Sequence, residues 1–499
     1  MTEVVSDTAS GAMSQDSSDP GTPVVGYKVT VRLQIPKASH LLDEVLERVE
    51  AAGGQVGGTA TINSAKDSGS ACKIRDVMIV TRGSQHAEEI VNEIRKIKDI
   101  IVGPVSDDTF LLHIGGKIAV VPLHPVRSIH QLGMVYTPGV SWVCDAIFKD
   151  PDKARSLTIK GKTVAVITDG SRVLAMGNIG PLAALPVMEG KSALFKQFGD
   201  VDAFPICLNT QNTEEIISAC KWIAPVFGAI NLEDIASPRC YEVEERLKKE
   251  LNIPVFHDDQ HGTAIAVAAA TKNAARLTKK RLSSMKVVTI GVGAAGMACA
   301  KMLIAMGVKN LIGFNKDGAV HCGRTDLTEQ EKWLAANSNP KGFKGSIEKA
   351  LKGADMVLGL SVAGAIKAEW LAKMKKNAIC FALANPVPEV LPKDAKPYVA
   401  VMATGGSNYK NQINNALVFP GIFRGALDAQ VSEITYEMQL EAAHALAAVV
   451  SKEDLDYDKI IPAVFEPAAH EAVAEAVRRV AKRNGLGRYA DRSTDALKR

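Results

Sequence analysis

The run Lys286–Ile290 (KVVTI) passes without a break into Gly291-Val-Gly293-Ala294-Ala295-Gly296 and then into apolar helical spacing over Met297–Met306. This is Gly-x-Gly-x-x-Gly between a strand and a helix, the feature that most narrows the fold. The first glycine allows a tight turn. The second lets the backbone approach a pyrophosphate seated on the helix N-terminus. Alone the pattern is weak, because glycine-rich turns are common; in this setting it points to a dinucleotide. Residues 281–430 therefore read as a Rossmann-type domain with Gly291, Gly293, Ala294, Ala295 and Gly296 at the cofactor. Its later strands are Met356–Leu360, ending at Ser361, and Ile379–Leu383, ending at Ala384-Asn385-Pro386.

The strand after the fingerprint, Asn310–Phe314, ends at Asn315-Lys316. An NAD-selective fold usually carries Asp or Glu there, which accepts the ribose hydroxyl bonds and repels a 2′-phosphate. Asn315 removes that repulsion and Lys316 could attract a phosphate. Asp317 partly restores an acid, and a lysine in such a place is more often an exposed turn residue. NAD and NADP both stay open, with a lean toward accepting NADP.

Two short acidic clusters stand in apolar, non-repetitive sequence: Glu233-Asp234 in NLEDI and Asp258-Asp259 in FHDDQHGT. The chain between them reads as one helix, Arg239–Leu251, and a short apolar run, which can return the second cluster to the first. Three or four converging carboxylates without Cys suit Mg²⁺ or Mn²⁺ rather than zinc; the alternative is a solvated acidic face. His257 and His261 have i, i+4 spacing, but the Asp pair and Pro254 argue against a regular helix there, so both read as supporting groups.

Lys191 lies between Met188-Glu-Gly and helical spacing over Ser192–Phe198. Most lysines in such a place reach for water; a buried one beside a carboxylate and a metal could serve as a base. Arg172 follows a buried strand, Lys162–Thr168, and is suited to a substrate carboxylate or to a surface ion pair. Tyr136, beside a proline turn, is by itself most often a half-buried ring, and becomes a proton donor only if a cation tunes it. Together these groups describe a metal-assisted hydroxy-acid dehydrogenase. A chelated 2-hydroxy acid has its C2 oxygen polarised, and an enolate formed after hydride loss can be stabilised, so β-decarboxylation becomes possible.

With 499 residues the chain needs several domains. Residues 1–25 read as a disordered tail. Residues 26–105 follow the order βαββαβ of a ferredoxin-like plait. This unit resembles the ACT domain, a module that often binds small effectors between paired copies; the other reading is a dimerisation module without a ligand. Residues 106–280 form an α/β domain carrying the acidic clusters, and 431–499 read as helices. The balance of 59 basic against 55 acidic residues gives no case for nucleic acid or a membrane surface. No Cys-x-x-Cys pair, secretory signal or long apolar run occurs, which leads to the expectation of a cytoplasmic protein.

The segments VYTPGV, VITDGSRVLAMGNIG, PVMEGK, NLEDI, FHDDQHGTA, the glycine fingerprint, ANPVPE and NNALVFPG, in this order, resemble malic enzyme of the compact bacterial type over about residues 106–430. The resemblance implies conversion of L-malate to pyruvate and CO₂ with NAD⁺ or NADP⁺ and Mg²⁺ or Mn²⁺. It implies Glu233, Asp234 and Asp259 as metal ligands and Lys191 as the base for the C2 hydroxyl, with Asp258 bonded beside it. Tyr136 would protonate C3. Asn385 and Asn415 would contact the substrate, Asn385 also lying by the cofactor, and Arg172 would hold a malate carboxylate. A dimer or larger assembly is implied, with each subunit's site largely its own. Three positions depart from the pattern: Arg172 stands where compact relatives often have a small residue, Asn315 replaces the usual Asp, and the Ser361 turn lacks a proline. The competing readings are an oxaloacetate decarboxylase, a plain 2-hydroxy-acid dehydrogenase and an effector-sensing scaffold. Tyr136 argues against the plain dehydrogenase, which protonates no carbon.

Overall fold

The structure, a computed structural model, describes residues 27–36, 40–62, 72–407 and 409–488; the tail expected over residues 1–25 lies outside them. Two compact units divide between Leu112 and His113.

In the first unit, β1 (Tyr27–Pro36), β2 (Gln55–Ile62), β3 (Cys72–Thr81) and β4 (Ile101–Asp107) form an antiparallel sheet of order β2-β3-β1-β4. Helices Leu41–Ala51 and Ser84–Arg95 complete the βαββαβ order. Central β1 alternates strictly: Val29, Val31, Leu33 and Ile35 are buried. They meet Val45 and Val49 of one helix and Ile90, Val91 and Ile94 of the other. Period 2 on the sheet and period 3.6 on the helices thus build one core between two layers, the ferredoxin-like plait that the pattern predicts.

The second unit holds two parallel sheets. In the first, β5 (Thr163–Thr168), β6 (Asp202–Cys207), β7 (Ala229–Leu232) and β8 (Val255–His257) take the order β6-β5-β7-β8. Strand β5 is buried along its whole length, as a strand covered on both faces must be. The second sheet has β9 (Lys286–Ile290), β10 (Asn310–Asn315), β11 (Gly318–Ala319), β12 (Met356–Gly359), β13 (Ile379–Ala382) and β14 (Val401–Thr404). Its order is β11-β10-β9-β12-β13-β14, parallel except for β11, which turns back on β10. The order reverses across β9, the switch point at which doubly wound sheets take a dinucleotide.

The helix Asp258–Leu277 joins the two sheets. Ala264 to Ala270 are all buried, and small side chains let neighbours approach it from every side. It packs on the fingerprint helix Ala294–Ala305 and on the C-terminal helix Tyr436–Val449, which pairs with Pro467–Arg483. Phe195, Phe256, Phe419 and Phe423 interlock beside it, the Phe195 and Phe419 rings 4.7 Å apart. One continuous buried cluster therefore reaches from Val164 on β5 to Ala481 in the last helix.

Two expectations are corrected. The helix carrying Lys191 starts at Gly180, twelve residues before the predicted spacing, and runs to Gly199 across Pro186. A proline inside a helix removes one hydrogen bond and masks the pattern, but the stripe Ala184, Met188, Ser192, Phe195 is buried and outweighs that loss. The Asp pair, read as an argument against helix, opens one: Asp258 and Asp259 occupy its first turn, where free N–H groups favour carboxylates by about 0.3–1 kcal/mol each.

The stretch between Ile114 and Ile159 differs from the rest of its unit. Ile129, Trp142 and Phe148 are 88%, 78% and 87% exposed. Among the described residues no helix is long and apolar enough to cross a membrane.

Candidate active site

The chemistry gathers at the C-terminal ends of β7 and β8. Strand β7 runs out into Glu233, whose N–H still bonds Ile167 O at 2.8 Å, and then Asp234 turns the chain in the left-handed region (φ 54°). Aspartate tolerates that conformation better than most residues, and both its backbone groups are tied. Its N–H donates to Asp259 Oδ2 at 2.9 Å, and its carbonyl accepts from Arg172 N–H at 3.0 Å. One oxygen each from Glu233, Asp234 and Asp259 then lies within 4.8 Å of the others.

Two of these three carboxylates, Glu233 and Asp234, are short of positive charge. Burial, and then Asp259 beside it, pushes Asp234 up to about 8. Burial likewise raises Glu233 well above the ordinary range, against the pull of Lys191. Asp234 Oδ2 is buried without a hydrogen-bond partner. An all-oxygen donor set with an orphaned buried oxygen fits a hard divalent cation such as Mg²⁺ or Mn²⁺. Asp259 differs: burial works against its charge, but the hydrogen bond and charge of His257 hold it below the usual value. His257 Nε2 stands 3.3 Å from Asp259 Oδ2.

Behind this cluster sits Glu244, which sequence reasoning missed. It accepts His261 Nε2 at 2.8 Å, Gln260 Nε2 at 3.1 Å and the His257 N–H at 3.2 Å. Lys248 lies 2.7 Å away. Burial opposes its charge, yet His261 and Lys248 keep it well below the carboxylate range. Helix Arg239–Glu250 thereby anchors the turn that presents Asp258 and Asp259. His257 and His261 serve this network, as expected of supporting groups.

Lys191 lies beside the buried stripe of its helix, 7% exposed. Its Nζ donates to Glu233 Oε1 and Asp258 Oδ2, each at 2.5 Å, and stands 4.5 Å from the Phe419 ring centre. Burial opposes the ammonium, but Asp258, Glu233 and Asp259 outweigh it and keep the group charged. Burial also pushes Asp258 up to about 6, against Lys191. Asn415 closes this side. A Cβ at Gly262 would fall 1.9 Å from Asp258 Oδ1 and 3.1 Å from Asn415 Cβ, so only glycine fits between them.

Other groups are placed less tightly. Arg172 is exposed, though its backbone ties its turn to Asp234. That turn is braced by Arg239, whose Nη2 donates to Asp169 Oδ2 at 2.7 Å and Ser171 Oγ at 3.0 Å. Tyr136 follows the short helix Ile129–Val135 and is 68% exposed; among the described residues its hydroxyl makes no hydrogen bond. Its exposure gives no support to a site closed within one subunit.

At the second sheet the fingerprint glycines divide the work. Gly291 has φ 91°, and a Cβ there would meet Leu360 O at 2.3 Å. A Cβ on Gly293 would meet nothing within 4 Å, which leaves room for a ligand. One on Gly296 would lie 2.0 Å from Gly291 O, so the helix Ala294–Ala305 sits hard against the turn. Ser361 leaves β12 with its N–H bonded to Glu389 Oε1 at 2.7 Å, and Glu389 Oε2 takes the Ala384 N–H at 3.0 Å. Buried Glu389, also missed from sequence, thus joins the loops after β12 and β13. Asn385 follows, exposed. Asn315 ends β10 and Lys316 is exposed beside it.

Residues 115–248 match the malic enzyme N-terminal domain family, and residues 260–482 the malic enzyme NAD binding domain family. An NAD-dependent malic enzyme of Geobacillus stearothermophilus is 50% identical over 462 residues, 92% of this chain and 95% of that one. That alignment is longer than the second unit, so the likeness extends into the first. A bifunctional malic/malolactic enzyme of Bacillus subtilis is 47% identical over 75% of this chain and 92% of its own. Among solved structures, malic enzyme from Pyrococcus horikoshii is 45% identical with a TM-score of 0.72, covering 75% of this chain and 88% of that one.

Proposed function

The chain belongs to the malic enzyme family, oxidatively decarboxylating malate with NAD(P), and we propose that Lys191, Asp258 and Tyr136 carry its proton transfers. The observation that bears most weight is Lys191 Nζ bonded to both Asp258 and Glu233 while Glu233 also belongs to the three-carboxylate cluster. Proton abstraction and cation binding then share one wall.

Glu233, Asp234 and Asp259 would hold Mg²⁺ or Mn²⁺, which would polarise the C2 oxygen of L-malate, and a dinucleotide on the second sheet would supply the hydride acceptor. Arg172, Asn385 and Asn415 orient the substrate. Lys191 takes the C2 hydroxyl proton, and to do so it first gives up its own. Asp258 Oδ2, at 2.5 Å, is the neighbour able to receive it. Loss of CO₂ from C4 leaves an enolate, and Tyr136 protonates its C3 to give pyruvate. The stretch that carries Tyr136 exposes its apolar side chains, so the seat of the tyrosine depends on what covers that stretch.

That exposure supports a homodimer or higher homo-oligomer. An effector on the ACT-like unit is supported by a cleft of about 360 Å³ lined by Tyr27, Glu88, Asn92, Arg95 and Asp107. Eight free thiols, four of them buried, favour the cytoplasm. The division into 26–105, 106–280, 281–430 and 431–499 belongs to the same reading.

Initial rates with L-malate and Mn²⁺, comparing NAD⁺ with NADP⁺ and assaying pyruvate, test it. Reduced cofactor matched by pyruvate is the expected result. Reduced cofactor with oxaloacetate and no pyruvate would leave a simple dehydrogenase.

A further inference from the structure

In a Rossmann-type sheet the strand after the fingerprint helix ends beside the adenosine ribose. Here that end is crowded. Strand β11 folds back against Asn315, and Arg324 lies in the loop that follows, its side chain only 12% exposed. Arg324 Nη1 donates to Asn315 Oδ1 at 2.8 Å. Its Nε and Nη2 donate to the two carboxylate oxygens of Asp326 at 2.9 and 2.5 Å, a bidentate fork. Asp317 Oδ2 lies 3.9 Å from Nη2.

The Asn315 amide is committed as well. Its Nδ2 donates to Glu331 Oε1 at 2.8 Å, and its Oδ1 also accepts the Asp317 N–H at 3.0 Å. Glu331 is fixed in turn, since its other oxygen accepts the N–H and hydroxyl of Thr328 at 2.9 Å, closing a capping box on the helix Glu329–Asn337. So a guanidinium stands where a 2′-phosphate would arrive, and both of its donor edges are taken. Around it stand the carboxylates of Asp317, Asp326 and Glu331, while Lys344 Nζ lies 3.7 Å from where a Cβ on Gly323 would be. An incoming 2′-phosphate has to displace Asp326 to reach the guanidinium. A ribose diol carries no charge and displaces nothing.

We infer that Asp326 sets the choice of cofactor: by clasping Arg324 bidentately it withholds the guanidinium from a 2′-phosphate and makes the enzyme favour NAD⁺ over NADP⁺. The inference rests on the dinucleotide-dependent malate reaction proposed above. It reverses the lean toward NADP that Asn315 and Lys316 suggest in the sequence.

The test uses the full-length protein and two readouts. The first is calorimetric affinity for adenosine 2′,5′-bisphosphate against 5′-AMP, without malate or metal. The second is kcat/KM for NADP⁺ over that for NAD⁺ with L-malate and Mn²⁺. The wild type is expected to bind the bisphosphate no tighter than AMP and to favour NAD⁺. Freeing a charge-assisted fork for a phosphate is worth about tenfold, so Asp326→Ala should raise both ratios by about that factor. Asp326→Asn, which keeps the shape and loses the charge, should raise them in the same direction. Adding Arg324→Gln to Asp326→Ala should cancel the gain. Unchanged ratios in both Asp326 variants, a gain that survives Arg324→Gln, or a wild type that favours NADP⁺ would each overturn the clasp. A wild type that makes no pyruvate with either cofactor would instead defeat the malate reading, and the adenosine titration would still decide the clasp.

Discussion

The two sheets end in acidic sites of opposite character. At β7 and β8 the charges are buried: Lys191, Glu233 and Asp258 are each less than a tenth exposed. At β10 the carboxylates of Asp317 and Asp326 are more than half exposed, and Arg324 between them is covered. Breaking a buried ion pair leaves a stranded charge and costs about 3–5 kcal/mol, whereas exposed pairs are worth about 0–1 kcal/mol. The proposed reaction therefore rests on groups that cannot be changed one at a time without stranding a charge. The cofactor is chosen by groups that can.

The largest effect should come from Lys191→Ala. Pyruvate formation is expected to fall by at least about 10³-fold, and metal-free thermal stability to fall as well. A variant retaining more than a tenth of wild-type kcat would break the assignment. Asp259→Ala should abolish metal-stimulated turnover but leave NADH binding, followed by fluorescence, within about threefold, because the two sites stand on different sheets; additivity of distant sites is the warrant. Loss of NADH binding would show the two ends to be coupled.

A pH experiment sharpens the contrast further. Asp234 is pushed up to about 8 by burial and Asp259, and Glu233 and His257 are raised too. Groups with raised folded pKa bind protons that the unfolded chain has released, so stability falls as pH rises through that window. Glu244, Asp259 and His261 are lowered and act only below about 6.5, the ordinary histidine value. Metal-free protein should thus lose stability from about pH 6.5 to pH 8, less steeply in Asp234→Asn, and Mn²⁺ should flatten the slope. Denaturant midpoints across that range would read it, and a rising slope would contradict the crowding described here.

The smallest effect is reserved for Asn315→Asp. It should lower the NADP⁺/NAD⁺ ratio only about two- to threefold, because the new carboxylate gains Arg324 but faces Glu331, now 2.8 Å from the amide; each exposed pair contributes little. A larger shift than that of Asp326→Ala would move the control of cofactor choice to Asn315.

How legible the molecule was follows the same divide. The fingerprint, the clustered carboxylates Glu233, Asp234 and Asp259, and Lys191 stood out because each breaks an apolar pattern with groups that chemistry needs. The alternation of β1 and the spacing of its helices were enough for the plait. Pro186 and the neighbouring glycines hid the first half of the helix around Lys191. Strand β11, two residues long, is too short to leave a period. Glu244 sits among Glu242, Glu245 and Glu250 and looks like one more solvated acid, yet it lies four residues after buried Cys240 and three before buried Leu247. That spacing could have found it. Tyr136 was legible as a residue type in a motif, but nothing local says what surrounds it.

The helix Asp258–Leu277 spans about 30 Å at 1.5 Å per residue. One end carries Asp258 and Asp259, and its alanine-rich flank is fitted to the helix that follows the fingerprint. The boundary near residue 280 is consequently a poor place to cut. A chimaera that kept the front half of this chain and borrowed a nucleotide-binding half from another dehydrogenase would import a surface cast for a different rod. Homologous halves would be exchanged most safely together with this helix, because both ends are fitted to it.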